Sequence, residues 1–404
     1  MPRIQANVTP EVMLWARKKS GYSVEDAAGK IGRPVEEIQA WELGKLKPTL
    51  AQARNASEVY KRPLAVFFLP EPPKDFDTLR DFRKLPKDIP AEYSPQLAYI
   101  IRRIRNRQQW LSEFLLSEGY SPLNFIGSAS INVEPVKLAA EIRQSIRINL
   151  EDIFACRSRS EALRLWIDCV EQTGVFVCQA GNLKHEKVSV EEARGASMTD
   201  RYAPFVFLNA QDAKAAQLFS LAHELVHLWI NEPGLSNLMV PRRPSTDTEK
   251  IEVFCNKVAA EILVPLSLFK TCLQKISKET IESQITNLSM DFKVSREVIA
   301  RRFFELGKIK QDYYKKLIQK FKREWLKQKE LEKRESKTKD RGPDYNLLKI
   351  INNGRAFTQT VINAYGSGEI SGVATYNLLE IKLNRLPTVA DMLHLPLTGR
   401  RSAL

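Results

Sequence analysis

The feature that most constrains this chain is a short polar pattern inside an apolar run, LFSLAHELVHLWI, at residues 218–230. His223, Glu224 and His227 have the spacing H-E-x-x-H. On an α-helix, positions i and i+4 lie one turn apart on the same face, so both imidazoles can reach one metal ion. Burying a carboxylate and two imidazoles without partners is costly, and a zinc ion would compensate them. The pattern therefore predicts a zinc-binding helix on which Glu224 can hold a water beside the metal.

The pattern is specific for a chain of this composition. The sequence contains only 4 His in 404 residues, and a chance H-E-x-x-H at that frequency is expected in roughly a few per thousand chains. The alternative is a buried helix whose histidines are only hydrogen-bonded. That alternative does not explain why two of the four histidines fall at this spacing.

A third protein ligand is expected on the next helix. A catalytic zinc usually has three protein ligands and an open fourth position, and no other histidine lies near in the sequence. The segment IEVFCNKVAAEILVP is helical in pattern, and Glu249, Glu252 and Glu261 are its candidate carboxylates. Glu252 is preferred because it lies within the amphipathic pattern, and Glu249 comes next. Asn256, one turn later, can orient an imidazole, whereas Glu261 is expected on the solvated surface.

Length and composition indicate a soluble protein of two or three domains. The chain has 404 residues, of which 43% are apolar and 27% charged. It has no run of 18 uncharged apolar residues and no apolar signal core at its start, so we expect a cytoplasmic protein without a membrane partner. Five scattered cysteines form no C-x-x-C pair and indicate reduced thiols rather than zinc ligands: Cys156, Cys169, Cys178, Cys255 and Cys272.

Residues 1–68 have the pattern of a bundle of short helices. Ser23 is a predicted N-cap, Gly32 and Gly44 end two helices, and Thr49 is a predicted cap for a fourth. Two short helices joined by a tight turn, followed by W-E-x-G-x-x-x-P, resemble the helix-turn-helix of XRE-like regulators. The residues that carry this resemblance are Ala27, Ala28, Ile38, Trp41, Glu42, Gly44 and Pro48.

DNA binding by this segment stays open at the level of sequence. The net charge of +14 favours a polyanion partner. The predicted recognition helix offers Arg33 and Gln39 to a groove, and Lys45 and Lys47 lie close to where phosphates would be. Two adjacent glutamates at 36–37 oppose the approach of DNA. The alternative is a helix-turn-helix that serves docking or dimerisation.

The rest of the chain predicts an α+β protein that is mostly helical. We predict a linker at 69–92, a zincin-like domain with a small sheet at 93–307, a basic helix and linker at 308–342, and a small helical region at 343–404. Strands are predicted at VFVCQA and within 194–209, and an open sheet edge near the metal could hold an extended peptide.

An arginine run at 102–107 is interpreted as a solvated helix face, with a phosphate-facing stripe as the alternative. Residues 308–341 carry fourteen Lys/Arg against six Asp/Glu, which indicates a solvated helix or contact with nucleic acid.

The order of these segments resembles the ImmA/IrrE family of metallopeptidases with an N-terminal XRE-like domain. The likeness covers about 10–310 and is strongest at 194–266, through Arg194–Gly195, FVFLN, FSLAHELVHL and E-V-F-C-N-x-V-A-A-E-I-L-V-P. The resemblance implies a thermolysin-like fold, His223, His227 and Glu252 as zinc ligands, and Glu224 as the general base. The chain departs from the family pattern at Cys255, where alanine is common, and at Val264, where methionine is common.

The sequence thus predicts a zinc-dependent endopeptidase with one zinc ion per chain. By resemblance its substrate is a repressor protein, whose cleavage turns genes on. The alternative is a DNA-binding regulator or antitoxin-like protein in which the peptidase fold is an interaction module. A group must stabilise the tetrahedral oxyanion; His185, Tyr202 and His394 are the candidates, each with a purely structural alternative.

Overall fold

The computed structural model describes residues 4–73, 80–81, 93–181, 183, 186–236, 246–336 and 344–395. The chain forms two compact units. The first comprises Met1–Thr78, Leu85–Asn106 and Gly181–Ser189, and the second comprises Leu79–Lys84, Arg107–Ala180 and Val190–Leu404. The predicted α+β class with a helical majority is confirmed, while the domain boundaries drawn from the sequence stay predictions.

The first unit is helical. Its elements are α1 (Pro10–Lys19), α2 (Val24–Ile31), α3 (Val35–Glu42), α4 (Leu50–Val59), a 3-10 helix (Leu64–Phe68) and the first half of α5 (Pro95–Ser117).

Local signals in the sequence set the ends of these helices. The Ser23 side chain accepts from the Asp26 N–H and begins α2, and Thr49 and Gln52 form a reciprocal capping box at the start of α4. Gly32 ends α2 with a φ of 73°, a conformation that favours glycine. Two short helices, α2 and α3, therefore lie where the helix-turn-helix was predicted. Their inward residues Ala27, Ala28, Ile38 and Trp41 are buried.

Two arginines of the run at 102–107 in α5 are buried. At these positions the run forms neither a solvated face nor a phosphate-facing stripe. In the first unit, Arg103 is buried and pairs with Glu186 at 2.9 Å. In the second unit, Arg107 is 1% exposed and donates to the Leu378 carbonyl and to Asn353 Oδ1. Both sequence interpretations are wrong for these two residues, because a buried guanidinium must be paired with acceptors from the protein.

The second unit contains the remaining helices and a small sheet. Its helices after α5 are α6 (Pro135–Ser145), α7 (Leu150–Ala155), α8 (Arg159–Glu171), α9 (Lys214–Trp229), α10 (Asp247–Leu263), α11 (Leu266–Lys275), α12 (Ile281–Asp291), α13 (Arg296–Glu305), α14 (Gln311–Ser336), α15 (Tyr345–Asn353), α16 (Arg355–Gly366), α17 (Gly372–Leu379), a 3-10 helix (Leu383–Arg385) and α18 (Leu386–Met392).

The sheet has five strands in the order β1-β5-β3-β4-β2. They are β1 (Arg80–Asp81), β2 (Phe176–Ala180), β3 (Gly195–Met198), β4 (Phe205–Asn209) and β5 (Gly234–Ser236). Strands β2 and β4 are parallel, β3 is antiparallel to β4 and β5, and β1 is parallel to β5. The three predicted strands are confirmed. The structure corrects the prediction of a linker at 80–81, because these two residues pair with β5.

Helices α12 and α13, within residues 279–306, form part of the core. Ile285 and Leu288 of α12 and Ile299 and Phe303 of α13 are buried in one cluster with the inward side chains of α9 and α10. Both helices therefore pack around α9 and α10, which carry the candidate site.

The basic helix α14 packs on this core along one side only. Leu317 is buried, and Tyr314, Ile318 and Phe321 pack against the cluster. Lys316 is exposed, as expected for a solvated charged face. Residues 337–342, which were predicted to complete this segment, lie outside the described residues. No helix in the described part of the chain is long and apolar enough to cross a membrane.

The outer edge of β2 is covered by the turn between α15 and α16. Gly354 has a φ of 90°, and a Cβ at this position would lie 2.6 Å from the Val177 carbonyl oxygen. The Glu171 carboxylate accepts from the N–H groups of Val177, at 3.4 Å, and Ala356, at 3.3 Å. Burial raises the pKa of Glu171 to about 8, although the two N–H donors oppose the rise.

Replacement of Glu171 by glutamine should reduce the loss of stability at alkaline pH. Because the pKa of Glu171 is raised on folding, its favourable contribution is complete below its unfolded value of about 4.5 and is lost as pH rises through about 8. The free energy of unfolding of Glu171→Gln should therefore fall about 4 kcal/mol less than that of the wild type between pH 5 and 9. Urea denaturation at the two pH values measures this difference. The exposed Glu118→Gln is the control, and equal losses in all three proteins would contradict the prediction.

Candidate metal centre

Helix α9 presents both histidines to one point. His223 and His227 lie one turn apart, and both are buried, as is Glu224. The start of α9 is held by Gln217, whose side-chain amide donates to the Asp212 carbonyl at 2.7 Å and accepts from Gln179. The predicted apolar helix with an inward H-E-x-x-H pattern is thus observed.

A carboxylate of α10 completes the group. His227 Nε2 lies 3.0 Å from His223 Nε2 and 3.2 Å from Glu252 Oε1, and His223 Nε2 lies 3.5 Å from Glu252 Oε2. Helix α10 begins at a cap in which the Glu249 N–H donates to Thr246 Oγ1. The group of His223, His227 and Glu252 is buried and could hold a metal ion.

The donor set fits a tetrahedral zinc ion. Ligand atoms about 2.1 Å from a tetrahedral zinc lie about 3.4 Å from one another. The two imidazole nitrogens are 3.0 Å apart, and each has one of the two Glu252 oxygens within 3.2 or 3.5 Å. Two imidazole nitrogens at 3.0 Å with a carboxylate beside them require a cation, a proton or a metal, between them. Two nitrogens and one oxygen are a common ligand set of zinc.

Electrostatics at the site favour a cation. Burial opposes the ionised form of Glu252, but His223 and His227 outweigh it and lower the pKa of Glu252 to about 2. Burial alone lowers the pKa of His227, while Cys255, Glu252 and Glu224 raise it, and the net pKa lies well above the ordinary value. The carboxylates near His227 therefore favour a positive charge at this site, which a bound metal ion would supply.

A backbone carbonyl orients one of the imidazoles. His227 Nδ1 lies 2.8 Å from the Glu232 carbonyl oxygen. Since a carbonyl only accepts, Nδ1 carries the hydrogen, and in the neutral ring Nε2 keeps its lone pair for the group. Asn256 donates instead to the Glu252 carbonyl at 2.7 Å. Its predicted part in orienting an imidazole stays a prediction.

Glu224 is fixed against strand β3 by the absence of a side chain at Gly195. A Cβ at Gly195 would lie 2.7 Å from Glu224 Oε1 and 3.1 Å from its Cγ. Only glycine therefore lets the carboxylate occupy its place next to the strand. Arg194–Gly195 is part of the family resemblance, but no local signal in the sequence indicated this contact.

Replacement of Gly195 by alanine should displace the Glu224 carboxylate. Overpacking in a filled core typically costs about 1–3 kcal/mol, and a shift of a reacting group by about 1 Å can lower a catalytic rate about 100-fold. Urea denaturation and cleavage of dye-labelled casein measure the two effects. The control is Gly29→Ala in α2, where an added Cβ meets nothing within 4 Å, so a helix gain of about 1 kcal/mol is expected. Unchanged cleavage by Gly195→Ala would contradict the prediction.

The two other candidate carboxylates of α10 are not members of the group. Glu249 is in the first turn of the helix. Glu261 was expected on the solvated surface, and this is wrong: it is buried and pairs with Arg302 at 2.6 Å. Arg302 also donates to the Val264 carbonyl. The pair fixes the end of α10 to α13.

The remaining sequence candidates are not brought to the metal group by any described contact. His185 lies outside the described residues. Tyr202 lies in the turn between β3 and β4, where its N–H donates to Asp200 Oδ1, and His394 is exposed just after α18 with a φ of 57°. The candidate DNA contacts belong to the first unit: Arg33, Gln39 and Lys45 are exposed, and exposed Lys47 donates to Asn7 Oδ1.

The thiol of Cys255 lies next to the candidate centre, and the sequence analysis did not predict this position. It is fully buried and lies close to His227. Burial raises the pKa of this thiol, although the nearby His227 opposes the rise. Helical spacing could have indicated it, because Cys255 lies three residues after Glu252.

Fold and site together bring two histidines and one glutamate into one buried group that could hold a metal ion, carried by two helices beside a small sheet. Residues 172–304, about a third of the chain, match the family model Peptidase_M78, described as the IrrE N-terminal-like domain. This match supports the resemblance to the ImmA/IrrE family and points to a peptidase. The N-terminal helices lie outside it. Comparison with curated proteins gave no match.

Proposed function

We propose that this chain is a zinc-dependent endopeptidase that holds one zinc ion on His223, His227 and Glu252. The observation that carries the proposal is the convergence of these three buried side chains, with Glu224 adjacent, inside the segment that matches the peptidase family. The alternative of merely hydrogen-bonded histidines explains neither the carboxylate from α10 nor the spacing of the donor atoms.

Several residues of the chain have separate roles in the proposed hydrolysis. A bound zinc ion supplies Lewis acidity to a peptide carbonyl and makes a water more acidic. Glu224 takes a proton from the attacking water and passes it to the departing amine. Gly195 leaves the space in which the Glu224 carboxylate is held, and the Glu232 carbonyl keeps the His227 ring in one orientation.

The substrate is proposed to be a specific repressor or regulatory protein in the cytoplasm, whose cleavage controls transcription. This rests on the resemblance to the ImmA/IrrE family and on the helices of the first unit, which we assign to the XRE-like helix-turn-helix class. The buried faces of α2 and α3 support that assignment.

The metal content of the purified protein tests the proposal. We expect about one zinc ion per chain in the wild type and a large loss of zinc in His223→Ala, since one imidazole ligand is removed. Elemental analysis after gel filtration measures both, and circular dichroism checks that the variant is folded. A folded wild type that binds no zinc when the ion is supplied would refute the proposal.

A DNA-binding regulator is the second candidate function. It is favoured by the exposed Arg33, Gln39 and Lys45 in the first unit and by the net charge of +14. A gel-shift assay with the protein's own promoter DNA, repeated at several salt concentrations, tests it. If the wild type shifts that DNA and cuts no co-expressed repressor, the regulator is the better description.

A further inference from the structure

The two edges of the sheet differ in what covers them. At the β2 edge, Gly354 lies against the Val177 carbonyl, and Glu171 accepts from the Val177 N–H. These backbone groups therefore have no room for another strand. The opposite side of the sheet ends in β1. In the described structure, the two residues of β1 are all that covers the outer backbone groups of β5, which we call the β5 edge.

The β5 edge lies beside the candidate metal centre. Strand β5 begins two residues after Glu232, whose carbonyl holds His227. It ends at Ser236, which pairs with Gly195, the residue against which Glu224 packs. An extended peptide paired with β5 would gain main-chain hydrogen bonds next to the catalytic group.

We propose that β1 is an internal occupant of the edge that receives the extended peptide substrate. Arg80 pairs with Gly234 and Asp81 with Leu235, so β1 covers two of the three residues of β5. A substrate must displace this pairing before it can use the same backbone groups. The inference rests on the proposed endopeptidase function, which it extends to the mode of substrate binding.

The pairing is short enough to be displaced. A strand of two residues is far below the usual length, and parallel pairing is slightly weaker per residue than antiparallel pairing. Each backbone hydrogen bond contributes about 1 kcal/mol net, so an occupant of this size should weaken peptide binding about tenfold.

A double proline variant removes the occupant and leaves the chain length unchanged. Proline has no N–H and is excluded from paired strand positions, so Arg80→Pro with Asp81→Pro should release the β5 edge. The matched control is Arg80→Ala with Asp81→Ala, which keeps both backbone donors and should behave as the wild type. Both are made in full-length, zinc-loaded protein, with Glu224→Gln added for the binding measurements so that nothing is cleaved.

Hydrogen exchange and peptide binding are the two direct measurements. In the proline variant, the amides of Gly234–Ser236 that pair with β1 should lose protection. A fluorescent synthetic peptide with the sequence of residues 77–86, DTLRDFRKLP, should bind the proline variant about tenfold more tightly than the alanine control. A copy of this peptide N-methylated at the residues equivalent to Arg80 and Asp81 should bind neither protein.

Each outcome decides the inference separately from the proposed function. Unchanged protection of β5, or equal peptide affinity in the proline and alanine variants, would overturn it. With Glu224 intact, the proline variant should also cleave dye-labelled casein with a KM about tenfold lower than that of the wild type. If the wild type cleaves casein and the proline variant has the same KM, the inference is overturned as well. Failure of every variant to cleave casein counts against the peptidase, while the binding result still decides whether β1 occupies the edge.

Discussion

Replacement of Glu224 by glutamine should lower the rate of peptide cleavage about 1000-fold while leaving fold and zinc content unchanged. General acid–base catalysis typically contributes about 10²–10⁴ to a rate, and glutamine keeps the shape of the side chain without its basicity. Glu224 is fully buried against Gly195, so the near-isosteric amide should fit the same space. Cleavage of dye-labelled casein and of a co-expressed repressor measures the effect.

The control for this variant is Glu249→Gln, in the first turn of α10 and outside the metal group. It should cleave at the wild-type rate. Elemental analysis must show that Glu224→Gln still holds zinc, since loss of the metal would imitate loss of the base. Wild-type cleavage by zinc-loaded Glu224→Gln would show that another residue moves the proton.

Replacement of Glu252 by alanine should weaken zinc binding about 100-fold. Structural zinc sites have binding free energies of about 10–16 kcal/mol, and division over four positions gives about 3 kcal/mol for one ligand, or about 100-fold. Glu252 is 4% exposed and lies 3.2 Å from His227 Nε2, so no water can replace its oxygen without rearrangement. Competition with a chromophoric chelator measures the affinity.

Glu249→Ala is the matched control for Glu252→Ala, because it removes the other acidic side chain one turn earlier on the same helix. The contact between Glu249 and Thr246 is made by the backbone N–H, so the cap survives the substitution. Equal zinc affinity of the two variants would exclude Glu252 as the third ligand. A loss in Glu249→Ala alone would assign that role to Glu249.

The group of His223, His227 and Glu252 was predictable because the patterns that indicate it lie within single helices. The spacing of His223 and His227 follows from the pitch of one helix, and the position of Glu252 follows from the apolar pattern of a second. Glu261 was misplaced because its partner, Arg302, lies 41 residues away. No helical periodicity indicates a charge that is buried only because a distant opposite charge is buried with it.

The small strands and the place of Gly195 were not predictable for a related reason. Strands β1 and β5 have two and three residues, too few for an alternating pattern, and their pairing depends on which segment reaches the sheet edge. Gly195 begins a clear strand, but the reason for a glycine there is the Glu224 carboxylate on a different element. The buried arginines of α5 belong to the same class, because their acceptors come from distant parts of the sequence.

The first unit is assembled from three separate stretches of chain, and this changes what a cut in the backbone would do. Arg102 donates to the Tyr60 and Lys61 carbonyls, and Arg103 pairs with Glu186, so the three stretches are joined by side-chain contacts as well as by the backbone. A protease that cuts between Pro73 and Tyr93 should therefore leave two fragments that separate in denaturant but migrate together in native gel filtration. Deletion of the N-terminal residues should destabilise the first unit more than a backbone cut does, because Arg102 then loses the carbonyls to which it donates.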